Sequence, residues 1–214
     1  LTEYFVMLCL AILTLTLEIA AATFEYPGRA TLDDVFEFFE QDRGIFLNRR
    51  SYSRQIEGFD PVCVFNRVKE KNGNVMRLYQ RFDYGTLGNH RCFAYGVYYN
   101  VSKQPGMDMA PVIETKKTNG KRCSGAATIE NYKGMESLGF EREYEDGRQY
   151  LFQFYDSSSK CAVITFRDKK HSVKCELHVW YGFSNKDISS CLREYDDLCG
   201  NHHTYTYLEK DMCT

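Results

Sequence analysis

The sequence predicts an all-β fold with a helix at each end of the domain, and three observations carry that reading. From Gly44 to about Trp180 the chain runs in short aromatic and β-branched segments separated by Gly, Asn, Asp and Ser, which is how antiparallel strands and hairpins are punctuated. No long helical period interrupts the series, so the strands follow one another up and down, as in a closed antiparallel barrel or a sandwich. Helical spacing appears before this region and again after Asn185.

Residues 1–22 are read as a signal peptide outside the fold. The stretch from Phe5 to Leu17 is apolar, Ala20, Ala21 and Ala22 offer a small-residue cleavage site, and the run is short for a membrane span. No Met opens the sequence and no basic residue precedes the apolar run; the alternative is a buried N-terminal helix. Residues 23–214 then form a single domain, long enough for a sizeable core.

At the start of that domain Thr31 and Asp34 resemble a capping box, and Leu32, Val35, Phe36 and Phe39 recur at helical spacing. This predicts an amphipathic helix over 31–41 whose apolar face plugs a core. Strands are expected at 45–53, 61–69, 75–84, 91–101, 112–118, 126–132, 140–144, 148–155, 162–167 and 173–180. Residues 70–74 and 145–147 carry hairpin turn chemistry. Beyond Asn185, Ile188, Cys191, Leu192, Tyr195 and Leu198 share one helical face and Gly200 stops it, giving a helix packed outside the sheet.

Charge and cysteines bound the function. Removing residues 1–22 takes away Glu3, Glu18 and Cys9 and leaves 27 acidic against 27 basic residues. That balance gives no reason to expect nucleic acid or an anionic membrane as partner. Eight cysteines remain: Cys63, Cys92, Cys123, Cys161, Cys175, Cys191, Cys199 and Cys213. An even count in an exported chain points to disulfides, and no tight C-x-x-C pair suggests zinc. His202, His203, Asp196 and Asp197 sit at a helix end and in a tail and read as solvated polar groups, so no metal is expected. Asn100, Val101 and Ser102 form the one glycosylation sequon, which requires Asn100 to face solvent.

Strand alternation turns these marks into faces. In 173–180, Cys175, Leu177 and Val179 share one side, and Glu176, His178 and Trp180 the other. If Cys175 is tied to the exterior helix, Glu176, His178 and Trp180 point inward. If Cys161 is tied to Cys191, then Ala162, Ile164 and Phe166 face inward as well. Tyr150, Phe152 and Phe154 form an aromatic stripe, and Arg142 shares a face with Phe140 and Tyr144. With Asn100 outward, Phe93, Tyr95, Val97 and Tyr99 line the interior. An aromatic cavity with few fixed polar groups suits a small ligand. The plainer reading is that inward rings are core and that Glu176 pairs with an inward Arg.

Taken in order, the short helix at 31–41, Cys63, the turn at 145–147, Cys161, the Cys175-Glu176-Leu177 motif, Cys191 and Cys213 resemble the tick salivary lipocalins, the histamine-binding family. The resemblance implies an eight-stranded antiparallel lipocalin (calycin) barrel with a short N-terminal helix and a C-terminal helix outside it. It implies disulfides Cys63–Cys213 and Cys161–Cys191, with Cys175–Cys199 and Cys92–Cys123 following by position. Family amine binders carry Cys-Asp-hydrophobic, a spacer, Glu-Leu-aromatic, a spacer, then Cys. Here Ala162 stands for the Asp and His178 for the aromatic, while Glu176 and the spacing match. Tyr52 and Tyr150 fall at family ring contacts, Glu130 aligns with a second carboxylate, and Arg142 stands where the family has an aromatic residue.

On this reading the protein is a secreted, monomeric, non-enzymatic lipocalin without cofactor. It holds a host biogenic amine, histamine or serotonin, at Glu176, with Tyr52, Tyr150 and Trp180 around the ammonium, and so blunts the host's inflammatory defence. Two alternatives stand beside it. One is an acidic lipid such as an eicosanoid, anchored by Arg142; the other is a host defence protein bound through the loop at 102–110. No Ser-His-Asp set, phosphate loop or metal cluster supports catalysis.

Overall fold

In a computed structural model of the chain, the described residues are 28–86, 89–103, 108–118, 120–123, 147–183, 186–200 and 205–206. They contain α1 (Leu32–Phe38), β1 (Gly44–Arg50), β2 (Pro61–Asn72), β3 (Val75–Thr86), β4 (Asn89–Ser102), β5 (Val112–Lys117), β6 (Lys121–Arg122), β7 (Gln149–Asp156), β8 (Cys161–Arg167), β9 (Val173–Trp180), α2 (Ser189–Cys199) and β10 (Tyr205–Thr206). The expected signal peptide at 1–22 and the expected strands at 126–132 and 140–144 lie outside the described residues.

Eight strands pair antiparallel in the order β1-β2-β3-β4-β5-β7-β8-β9, and β9 returns to β1 to close the barrel. The two-residue β6 continues the β5 edge against β4, and β10 adds to β1. The expected eight-stranded lipocalin barrel, with its N-terminal helix and its outer C-terminal helix, is the fold observed.

Local chemistry explains the ends of the elements. Thr31 and Asp34 form a capping box, with the Asp34 N–H donating to Thr31 Oγ1 at 3.2 Å and the Thr31 N–H to Asp34 Oδ2 at 2.7 Å. These bonds satisfy donors that the first helical turn leaves free. Helix α1 lays Val35 and Phe38 across one end of the barrel, where Trp180 donates its indole N–H to the Phe38 carbonyl at 2.8 Å. Between β2 and β3 the turn is two residues long, and its Gly73 takes a φ of 54° that L side chains avoid.

The core forms three clusters. One fills the end that α1 closes, with Val35, Phe38, Ile45, Leu78, Phe152 and Trp180. A second lies nearer the opposite mouth, with Leu47, Val64, Phe82, Tyr95 and Val97. The third is outside the barrel wall, where Phe65, Cys175, Leu177 and Val179 pack under Cys191 and Tyr195 of α2. Disulfides Cys161–Cys191 and Cys175–Cys199 tie that helix to β8 and β9, and Cys92–Cys123 ties β4 to the residue after β6. Cys63 is disulfide-bonded, and its expected partner Cys213 lies outside the described residues.

Three details depart from simple periodicity. A bulge between Phe152 and Phe154 inserts Gln153, so Phe154 packs on the outer cluster and Tyr155 turns to the inner one. The aromatic stripe therefore ends at Phe152, because one extra residue reverses every face beyond it. A second bulge between Leu47 and Arg49 reverses the faces that follow, and β1 ends at Arg50, short of the expected Ser53. On α2, Leu198 is exposed and Cys199 is buried in its stead, because the bond to Cys175 turns that last residue onto the wall.

The start of α2 is held by Asp156, whose carboxylate accepts from the Ser158 and Ser159 N–H groups and from the Ser190 hydroxyl. Burial pushes this carboxyl up, but those hydrogen bonds outweigh it and hold it well below the usual aspartate range. A depressed carboxyl contributes stability that is present above its unfolded value, about 3.9, and lost as pH falls through the folded one. Asp156→Asn is expected to cost about 1 kcal/mol at neutral pH. It should also shallow the acid limb of the thermal-melting curve below about pH 4.

Candidate ligand-binding site

The seam that closes the barrel positions Glu176, the one buried glutamate among the described residues. Arg50 of β1 stands opposite Glu176 of β9, and Leu47 opposite His178. Because Cys175, Leu177 and Val179 face the outer helix, alternation sends Glu176 and His178 inward, where they are 8 % and 6 % exposed. An ionised carboxylate in such a place is stable only when hydrogen-bonded. His178 Nε2 lies 2.9 Å from Glu176 Oε2, and the Tyr52 hydroxyl donates to Oε1. Burial pushes the Glu176 carboxyl up; the hydrogen bond and charge of His178, the Tyr52 hydroxyl and the charge of Arg148 outweigh it and hold the group below its ordinary value. Burial and then the Glu176 charge push the Tyr52 hydroxyl well above the ordinary phenol range, so Tyr52 remains a proton donor.

Aromatic rings wall this carboxylate. Tyr52 and Tyr150 each meet Phe166 edge-on with centroids 5.2 Å apart, a favourable ring geometry. The Arg148 guanidinium lies 4.0 Å from the Phe166 ring centre and donates to the Tyr150 hydroxyl at 3.4 Å. Arg54 lies 4.2 Å over Phe82 and donates to the Tyr95 hydroxyl at 3.2 Å. Asn66 and Gln80, bonded to each other at 2.7 Å, complete a polar belt between the two inner apolar clusters. Arg50 is buried in the same belt and pairs with Asp60 at 2.7 Å.

Two cavities of about 10 and 20 Å³ open into this belt, each lined by Tyr150, Glu176 and His178. Phe39, Tyr99, Ile113 and Ile164 line the first, and Tyr52, Arg54, Val64 and Phe82 the second. Each has room for about one water molecule. The side chains between the two spaces separate them.

Of the residues singled out from sequence, Tyr52, Tyr150 and Glu176 meet at one point. Trp180 does not line these cavities; it packs in the α1-capped end, with Arg43 and Lys160 each 4.9 Å from its ring centre. Glu130 and Arg142 lie outside the described residues. Asn100 is exposed on β4, opposite Val75 and Glu114 on the neighbouring strands. Among the described residues no cluster of three metal-ligating side chains occurs.

Arg50, Arg54, Asn66, Gln80 and Arg148 were not singled out from sequence. Arg148 is two residues before Tyr150 and shares its face, and Asn66 alternates with Cys63 and Phe65; parity alone could have found both. Arg50 and Arg54 follow the bulge in β1, where parity gives no guide.

A family model described as tick histamine binding protein matches residues 25–214 of this chain. The solved structure of Japanin from Rhipicephalus appendiculatus bound to cholesterol is similar, with 13 % identity over 81 % of this chain and 96 % of that one and a TM-score of 0.48. A search of curated proteins found no match.

Tyr52→Phe removes one of two hydrogen bonds to a buried carboxylate and is expected to cost about 2 kcal/mol in a urea titration. Trp180→Phe strands the Phe38 carbonyl and is expected to cost about 1–3 kcal/mol, with no change in the tyrosine environment around Glu176 by near-ultraviolet difference spectroscopy.

Proposed function

We propose, from the premise that the chain belongs to the tick histamine-binding protein family, that it is an exported single-domain lipocalin, cleaved after residue 22, that sequesters a host biogenic amine in its barrel. The observation that carries this reading is the buried, ionised Glu176 ringed by Tyr52, Tyr150 and Phe166. A protonated amine gains a charge-assisted hydrogen bond to the carboxylate and the quadrupole of the rings. It takes the place that His178 and the Tyr52 hydroxyl now fill, so those groups set how large an amine the site accepts. Histamine and serotonin both suit a site with one carboxylate and aromatic walls. Removing such a mediator would suppress host inflammation without any catalysis. The exposure of Asn100 supports a glycan there, and the disulfides support an extracellular protein, which we take to act as a monomer.

A second reading has its own observation. Among the described residues neither Arg54 nor Arg148 forms an ion pair; they contact ring faces and tyrosine hydroxyls. Two such cations beside one carboxylate favour an anionic ligand such as a fatty acid, with Arg148 in the role first given to Arg142.

Calorimetric titration of wild type, Glu176→Gln and Arg148→Gln with histamine, serotonin and arachidonic acid separates the two. On the amine reading Glu176→Gln lowers amine affinity by about two orders of magnitude or more, and Arg148→Gln leaves it equal or raises it. Amine binding that survives Glu176→Gln intact, with fatty-acid binding abolished by Arg148→Gln, would overturn the amine reading in favour of the anionic one.

A further inference from the structure

The hairpin that joins β8 to β9 gathers positive charge that the rest of the chain lacks. Residues 167–174 hold four bases, Arg167, Lys169, Lys170 and Lys174, against one acid, Asp168. Residues 23–214 balance overall, so everything there outside this hairpin carries 23 bases against 26 acids. The cluster therefore stands out against a slightly acidic molecule.

The turn that displays these bases is held by its own hydrogen bonds. Asp168 donates its N–H to the Ser172 carbonyl at 3.0 Å, and His171 donates to the Asp168 carbonyl at 2.9 Å. Asp168 Oδ1 accepts the N–H groups of Lys170 and Ser172 at 2.8 and 2.9 Å. Arg167 donates to the His171 carbonyl at 3.2 Å, and His171 takes a φ of 60°, the left-handed turn position that closes such short loops. The one acid is thus engaged by the turn itself, and Lys174 meets its other oxygen at 3.5 Å. Lys169 and Lys170 are exposed at the tip and form no ion pair among the described residues. Below them the strands alternate: Phe166 and Lys174 stand opposite each other on the inner side, Arg167 and Val173 on the outer.

We propose that this hairpin is a docking site for a sulfated polysaccharide of the heparin class, with Lys169 and Lys170 at the tip and Arg167 and Lys174 on its two flanks taking sulfate groups of one sugar chain. Short runs rich in Lys and Arg are the electrostatic footprint of such polymers. A sugar chain is thin and flexible, so it can pass along a protruding tip and meet charges on both sides of it. The fixed turn has little loop entropy left to lose on binding. The chemistry of the tip selects among polyanions. Lys169 to Ser172 contains no aromatic ring on which a nucleic-acid base could stack, and no large apolar side chain to enter a membrane. The surface is independent of what the barrel holds. Only the choice of an extracellular polymer rests on the exported reading above.

Calorimetric titration with a heparin octasaccharide tests the site at several salt concentrations from about 0.1 M upward. The proteins are wild type, the Lys169→Gln, Lys170→Gln double variant, and a control of equal charge change, Lys116→Gln, Lys186→Gln. The tip variant is expected to bind about tenfold more weakly, and its plot of log affinity against log salt to flatten by about 1.5, one part for each lost contact. The control should match wild type. Histamine titration should be the same in all three, so failure of either reading leaves the other standing. No heparin binding by wild type, or equal loss in the tip and control variants, overturns the site. Equal binding of fully desulfated heparin, of a single-stranded oligonucleotide of the same charge, or of phosphatidylserine vesicles overturns the assignment to a sulfated polysaccharide.

Discussion

A carboxylate kept ionised inside a closed barrel is the constraint around which this interior is arranged. Desolvating Glu176 is opposed by two hydrogen bonds and a nearby guanidinium, and the balance falls on the ionised side. His178 comes from the same strand, two residues on. Tyr52 comes from a loop on the far side of the closing seam. The charge therefore couples the seam to the mouth: the loop that satisfies Glu176 is the loop that fills the cavity.

The outer wall makes that inward charge possible. Disulfides from Cys161 and Cys175 to α2 close loops of 30 and 24 residues, each contributing on the order of 3–4 kcal/mol in the chain-entropy view. More to the point, they fix which face of β8 and β9 is outside. With that parity set, Ala162, Ile164 and Phe166 turn inward beside Glu176 and His178. The apolar cluster at the α1 end and the one at the mouth then leave only mid-height for polar side chains, so Asn66, Gln80 and the arginines gather there.

The site is chemically two-sided. Glu176 with its rings suits an ammonium, while Arg54 and Arg148 suit an anion; Glu176 and Arg54 border the same small space, and Arg148 stands behind it on Phe166 and the Tyr150 hydroxyl. The family's amine-binding pattern is kept at Glu176 and altered at Ala162 and His178. His178 binds the Glu176 carboxylate, so on the proposed amine reading an incoming amine displaces a protein partner. Arg54, lying on the Phe82 ring face, adds a second competitor. Affinity and selectivity in this barrel thus depend on what a ligand must push aside as much as on what it meets.

By itself the sequence determined the capping box of Thr31 and Asp34, a hairpin connection within residues 70–74, the run of short strands, and, once Cys175 is tied to the outer helix, the inward face of Glu176. Each of these is local: a cap spans one helical turn, a turn two residues, and side-chain parity two. It did not determine the bulges at Asn48 and Gln153, because an extra residue is set by what the opposite strand must pair with. Those single insertions reversed the faces beyond them, moving Phe154 out and bringing Arg50 in. Trp180 shares a face with Glu176, yet height along the barrel separates the two, and height depends on strand stagger, which no single strand encodes. The identity of the buried acid was thus legible in the chain, while its partners were decided only by the closing of the sheet on itself.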